Sequence, residues 1–153
     1  SGTYFVQAVA KLPGGPPVGI PPGTLSIDVI VASLAPAGLT TAVLVVNNIR
    51  DRETDATAGT RTLAVILGYT ASRAEFVVLV GLGYVVPILW AGFDYSAWVL
   101  FPFASLPIAV AIARTVLTRS DGEALNPALE RTGQLLALHS LLFAAGLIAP
   151  LVI

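Results

Sequence analysis

The chain has 153 residues, 56% of them hydrophobic and 11% charged, with a mean hydropathy of +0.85. A soluble domain carries about 25% charged residues, so this composition excludes an ordinary water-soluble globule and points to a bilayer as solvent. The absence of cysteine excludes a disulfide framework or a thiolate metal centre, and the net charge of −1 selects no class of partner.

In chain order, the opening SGTYFVQAVA is too short to span a membrane and runs into KLPGGPPVGIPPG, whose Pro and Gly density stops a helix. Residues 1–10 therefore read as the tail of a helix that begins upstream. The chain starts at Ser1 with neither an initiator methionine nor a signal peptide, and it reads as part of a longer protein.

Four charge-free runs follow, at residues 29–49, 76–93, 95–113 and 132–153. Each is close to the roughly 20 residues that cross a hydrocarbon core of about 30 Å as a helix. None shows the alternation of polarity that marks a barrel strand. The expected fold is all-α, a multi-span transmembrane helical bundle forming a single domain over 1–153, with approximate spans at 1–10 (partial), 25–48, 73–93, 95–116 and 130–153. Pro36, Pro87, Pro102 and Pro107 fall inside these spans, where each removes a backbone donor and is expected to bend its helix. Small residues such as those of ASLAPAGLTTA allow close helix approach.

Seven of the eight basic residues (Arg50, Arg52, Arg61, Arg73, Arg114, Arg119 and Arg131) fall in the second and fourth connections, and only Lys11 in the first. This asymmetry is the positive-inside pattern, which places the connections at 50–75 and 114–131 in the cytoplasm. The opposite side carries Trp90, Phe93, Tyr95 and Trp98, an aromatic belt.

The charge concentrates in NNIRDRETDATAGTRTLAVILG, residues 47–68. Asp51 and Asp55 stand four apart and Asn48 three before Asp51, so a helical turn puts all three on one face. Two like charges on one face repel unless a cation lies between them. Mg²⁺ suits that place, since it takes one or two carboxylates and completes its octahedron with phosphate oxygens and water. Arg50 and Arg61 would then neutralise the phosphate. The competing reading is an interfacial loop whose Arg50, Arg52, Glu53 and Asp55 make weak exposed ion pairs; spacing alone leaves both open.

The same stretch resembles the second aspartate-rich motif of UbiA-type intramembrane prenyltransferases, most of all the 1,4-dihydroxy-2-naphthoate branch, with its pattern NN-x-RD-x-x-x-D-x-x-x-G-x-RTLA-x-x-LG. GTYFVQ at 2–7 is similar to that branch's fifth transmembrane helix, and LNPALERT at 125–132 to its last cytoplasmic loop. The resemblance implies the C-terminal half of a nine-helix membrane enzyme, roughly helices five to nine. It implies prenyl transfer from a polyprenyl or phytyl diphosphate to 1,4-dihydroxy-2-naphthoate with decarboxylation, in menaquinone or phylloquinone biosynthesis. By position, Asp51 and Asp55 would ligate Mg²⁺, Asn48 would support the metal or diphosphate, Arg61 would contact the diphosphate, and Tyr4 and Gln7 would face the cavity near the isoprenoid or acceptor. Ala56 and Thr60 stand where the family commonly has basic residues. The first aspartate-rich motif belongs to the N-terminal half and does not occur in these residues, so a partner half carrying it is expected, and this chain alone should not catalyse.

The resemblance also admits a sister prenyltransferase acting on 4-hydroxybenzoate, homogentisate or haem, and the residues alone admit a non-catalytic membrane binding or transport subunit whose acidic loop holds a cation. Among the remaining polar residues, His139 in LLALHSLLF is read as a neutral side chain bonded to a neighbouring helix rather than a functional group. Asp28 is read as a hydrated interfacial carboxylate. RSDGEALNPALER is read as a polar connector, with Pro127 opening the last helix, against the alternative of a second cation site at Asp121 and Glu123. Tyr4, Tyr84 and Trp90 are weighed as tunnel lining against packing and interface anchoring.

Overall fold

A computed structural model describes residues 27–92 and 96–151. Tyr4 and Gln7, together with residues 1–10, lie outside the described residues. Those described are helical almost throughout and contain no strand. They form α1 (Ile27–Thr57), α2 (Leu63–Gly92), a 3-10 segment (Ala97–Ser105) continuing into α3 (Leu106–Thr118), and α4 (Gly122–Ile148), which ends in a 3-10 turn (Ala149–Leu151). The four spans, with the 3-10 segment and α3 counted as one, are each long and apolar enough to cross a membrane.

Each span buries one stripe and leaves the rest apolar and exposed, as a helix solvated by lipid does. On α1 the buried residues Ala35, Gly38, Leu39, Ala42, Val45, Val46 and Ile49 recur at three- and four-residue spacing. Leu34 and Leu44, on the other side of the same helix, are exposed. Small residues set the closest approaches. A Cβ on Gly38 would stand 2.8 Å from the Leu79 carbonyl oxygen of α2, and one on Gly146 only 2.3 Å from the Trp98 carbonyl oxygen. Glycine at these two places is what allows α1 to lie against α2 and α4 against the 3-10 segment.

The 31 residues of α1 extend about 46 Å at 1.5 Å per residue, well beyond a hydrocarbon core of about 30 Å. Its charge-free part ends at Ile49, so the turns from Arg50 to Thr57 project past the span. The charged stretch is therefore mostly helix. Only residues 58–62 leave it, through a Schellman turn in which Thr60 N–H donates to the Asp55 carbonyl (2.8 Å) and Gly59 N–H to that of Ala56 (3.2 Å). Gly59 takes φ 74 in this turn, a region that costs other residues about 1–2 kcal/mol. Thr62 then caps α2, its hydroxyl accepting from Val65 N–H (3.4 Å).

The prolines behave differently from one another. Pro36 and Pro87 are carried inside α1 and α2, Pro102 lies in the 3-10 segment, and Pro107 sits in the first turn of α3, where a missing N–H has no helical acceptor to lose. The break in α2 comes instead at Gly68, with φ 78 and ψ 174. It separates a short leading turn, with Leu63, Ile66 and Leu67 exposed, from the long span that follows. Pro127 does not open the last helix: α4 starts at Gly122, five residues earlier, because Asp121 caps it by accepting from Ala124 N–H (3.1 Å).

In the bundle interior His139 is fully buried and donates from Nε2 to the Gly83 carbonyl of α2 (3.0 Å). Tyr84 packs edge-on against that ring, 5.2 Å between centroids, and shares a hydrogen bond with Ser105 Oγ (2.8 Å). His139 is thus bonded to a neighbouring helix, and Tyr84 is a packing residue with its hydroxyl satisfied.

Candidate active site at the charged end of the bundle

The end of α1, the start of α2 and the α3–α4 turn meet at one end of the bundle. Arg50 is the hub. Its Nε and Nη2 form a fork on the two Asp51 carboxylate oxygens, both at 2.7 Å. Nη2 also donates to Asn47 Oδ1 (3.0 Å) and Nη1 to Asn126 Oδ1 on α4 (3.3 Å). The Arg50 hydrogen bond, helped by its charge and opposed by partial desolvation, holds the Asp51 carboxyl below its ordinary range, so Asp51 is ionised at neutral pH.

Arg50 and Asp51 line a cleft of about 480 Å³ together with Glu53, Thr54, Ser120, Asp121, Gly122 and Asn126. Its far wall is held from behind. Arg73 on α2 donates to the carbonyls of Val116 (3.0 Å) and Arg119 (2.8 Å) and to Ser120 Oγ (2.8 Å). Asp121 pairs with Arg119 (3.1 Å) while capping α4. Slight desolvation raises its pKa, but hydrogen bonds from its own and the Ala124 N–H and the Arg119 charge outweigh this, leaving the carboxyl below its ordinary range. Asp121 acts as a cap and cleft wall, and Glu123 lies in the first turn of α4.

Of the residues singled out from sequence, Arg50 and Asp51 are in direct contact and line the cleft. Asp55 lies one turn farther along α1, partly exposed, and Asn48 is partly buried on the same helix; neither lines the cleft. Arg61 is exposed in the 58–62 turn, away from the cleft lining. Among the described residues the side chains of Asn48, Asp55 and Arg61 make no hydrogen bond or ion pair. Asn47 and Asn126 carry the network instead. Asn47 had a signal in the sequence, since 47, 51 and 55 repeat every four residues on one helical face. Asn126 had none beyond its place in LNPALERT, because its contact with Arg50 spans 76 positions.

Among the described residues no group of three His, Cys, Asp or Glu could hold a metal ion. What α1 offers is two carboxylates one turn apart, hard oxygen donors with a positive neighbour. That set matches a hard divalent cation which takes only one or two protein carboxylates and fills its remaining positions from phosphate and water.

The sequence matches the UbiA prenyltransferase family over residues 8–141. The chain belongs to this family. It is 35% identical over 147 residues to the 1,4-dihydroxy-2-naphthoate octaprenyltransferase of Escherichia coli, covering 95% of this chain and 43% of that protein. Identity to the Haemophilus influenzae protein of the same name is 31% over 150 residues, 96% of this chain and 44% of that one. The human UbiA prenyltransferase domain-containing protein 1 is 33% identical over 126 residues, 82% of this chain and 36% of that protein. The chain thus spans less than half the length of these relatives. No solved structure matches it at a significant level. Membership in this UbiA family and four apolar spans make the protein a multi-span helical membrane protein, of a family that is generally dependent on a divalent metal.

Proposed function

We propose that this chain supplies the second aspartate-bearing half of a site that transfers a polyprenyl or phytyl group from its diphosphate to 1,4-dihydroxy-2-naphthoate, with loss of CO₂. The observation that carries this reading is the convergence of Arg50, Asp51, Asn47 and Asn126 beside an open cleft. The names of the two bacterial relatives support the acceptor. Asp51 and Asp55 would hold Mg²⁺, which when bound draws negative charge onto the departing diphosphate. The first aspartate-rich motif would come from the N-terminal half.

The chain's own residues do the rest of the work assigned here. The Arg50 fork rests on Asp51 in this structure; as Asp51 turns to the metal, the guanidinium would be released to two phosphate oxygens, with Asn47 and Asn126 keeping it at the cleft. As the allylic C–O bond breaks, its electron pair leaves with the diphosphate. The ring carbon bearing the carboxylate attacks the allylic carbon, and the bond to the carboxylate then breaks, returning its electrons to the ring and releasing CO₂. The apolar interior of the bundle keeps water from the cation-like carbon. The positive-inside pattern of the basic residues supports a cytoplasmic Arg50 end.

The test is turnover of prenyl diphosphate and dihydroxynaphthoate by the complete protein in membranes. Loss of Mg²⁺-dependent turnover in Asp51→Asn is the expected result, and unchanged turnover would remove Asp51 from the site. Competition between dihydroxynaphthoate and 4-hydroxybenzoate or homogentisate as acceptor tests the acceptor separately.

A further inference from the structure

Arg131 on α4 and Arg114 on α3 take no part in the cleft. Both are exposed, and among the described residues neither guanidinium makes a hydrogen bond or ion pair. Each sits where charge gives way to hydrocarbon: Arg114 directly follows the charge-free run 95–113, and Arg131 directly precedes the run 132–153. Arg114 therefore marks the headgroup level on α3, and Arg131 lies deeper on the adjoining helix, level with residues 107–111 of α3.

Toward the bilayer centre from Arg114 runs a groove of about 380 Å³ between α3 and α4, lined by Pro107, Ile108, Ala111, Arg131 and Gln134. Pro107, Ala111 and Arg114 stand at i, i+4 and i+7, one stripe of α3. Gln134 is turned toward Glu130, donating from Nε2 to Oε1 (3.0 Å), so the nearby carboxylate is engaged with it rather than with Arg131. An unpaired guanidinium lining an apolar trough on the exposed face of these spans is complementary to a molecule with a negative head and an apolar tail.

We propose that the α3–α4 groove binds one anionic phospholipid, its phosphate on Arg131 and Arg114 and an acyl chain along Pro107, Ile108 and Ala111. The site is separate from the Arg50 cleft, and its occupation does not depend on the prenyl-transfer reading.

The complete protein, solubilised in mild detergent, is loaded with equal amounts of dioleoyl phosphatidylglycerol and dioleoyl phosphatidylcholine, and retained lipid is read by native mass spectrometry. Wild type should retain the anionic lipid preferentially, by about fivefold for each engaged arginine. The double variant Arg114→Gln, Arg131→Gln should fall to parity, while Arg131→Lys should keep most of the preference because it keeps the charge. Ala111→Trp, which fills the trough and leaves both arginines, should also lose the lipid. No preference in the wild type, or an unchanged preference in the double variant, would overturn the proposal. So would displacement of the lipid by inorganic pyrophosphate, which would assign the arginines to a soluble diphosphate. The wild-type preference and the pyrophosphate competition need no variant to fold.

Discussion

Arg50 and Arg52 are two positions apart on α1 and almost equally exposed, at 25% and 26% of the side chain, yet they belong to different parts of the molecule. Two residues turn an α-helix by about 200°, so Arg50 faces α4 and the cleft while Arg52 faces α2. Arg52 donates to the Ala64 carbonyl (3.0 Å), pairs with Glu53 (2.6 Å) and lies 4.7 Å from the Tyr69 ring centroid, with Arg73 at 5.3 Å from the same ring. Tyr69 completes this group by donating to Glu53 Oε1 (3.2 Å). One arginine gathers side chains around open space and lines it, and the other stitches two helices together without lining it. Helix face, rather than residue type or exposure, separates the role proposed for Arg50 from the structural role of Arg52.

The sharpest way to break this comparison is to remove Asp51 from the cleft side. In the complete protein Asp51→Asn should lower turnover by about 10²–10³-fold, the scale of losing one preorganised electrostatic group, with little change in thermal unfolding. An equal loss of stability would make Asp51 a structural residue.

The next test exchanges the two arginines for lysine, which keeps the charge and loses the planar fork. Arg50→Lys should reduce turnover by about tenfold, an effect of ~1.4 kcal/mol on the transition state, and Arg52→Lys should leave turnover within about twofold while lowering the unfolding temperature. The reverse pattern would exchange the roles of the two faces.

Gly59 ends the helix that carries both arginines, and it separates them in another way. Gly59→Ala places a side chain at φ 74 with no steric neighbour within 4 Å, so its cost is backbone strain of about 1–2 kcal/mol. That strain should loosen the Asp55 turn, which the Schellman hydrogen bonds hold, and leave the Arg50–Asp51 fork one turn away unchanged. Calorimetric stability together with the Kd for Mg²⁺ in the presence of prenyl diphosphate would read the two consequences separately.

The smallest expected effect is on acid stability. Asp51 and Asp121 both titrate below their ordinary range in the folded protein. Groups of this kind stabilise the fold above the unfolded carboxylate pKa of about 3.9, and the contribution is lost as pH falls through the lower folded values. Unfolding monitored by circular dichroism should therefore be flat from pH 7 to about 5 as far as these two groups are concerned and weaken below about 4. Asp51→Asn should remove the part of that slope belonging to the cleft.

Several features of this protein were legible from residue order. Charge-free runs of the right length without strand-like alternation dictate helical spans whatever their neighbours, because a helix satisfies its backbone within the segment. The NNIRDRETD stretch and the family likeness are also properties of the sequence, whereas the pairing of Arg50 with Asp51 is not. Other features were not. The break at Gly68 is invisible beside the more conspicuous prolines, since a glycine breaks a helix only where surrounding contacts favour a positive φ. Asp121 as a cap, rather than Pro127 as an opener, depends on a side chain meeting a free N–H.

Sequence by itself thus determined the solvent, the helical class and the charge gathered at one end, all consequences of composition and of spacing within a few turns. Only the tertiary structure decided which arginine faces the cleft, that Asn126 meets it from 76 positions away, that Arg73 holds the opposite wall, and that Arg61 stands apart. Those are contacts between helices, set by the close approaches that Gly38, Gly83 and Gly146 permit, and no local pattern encodes them.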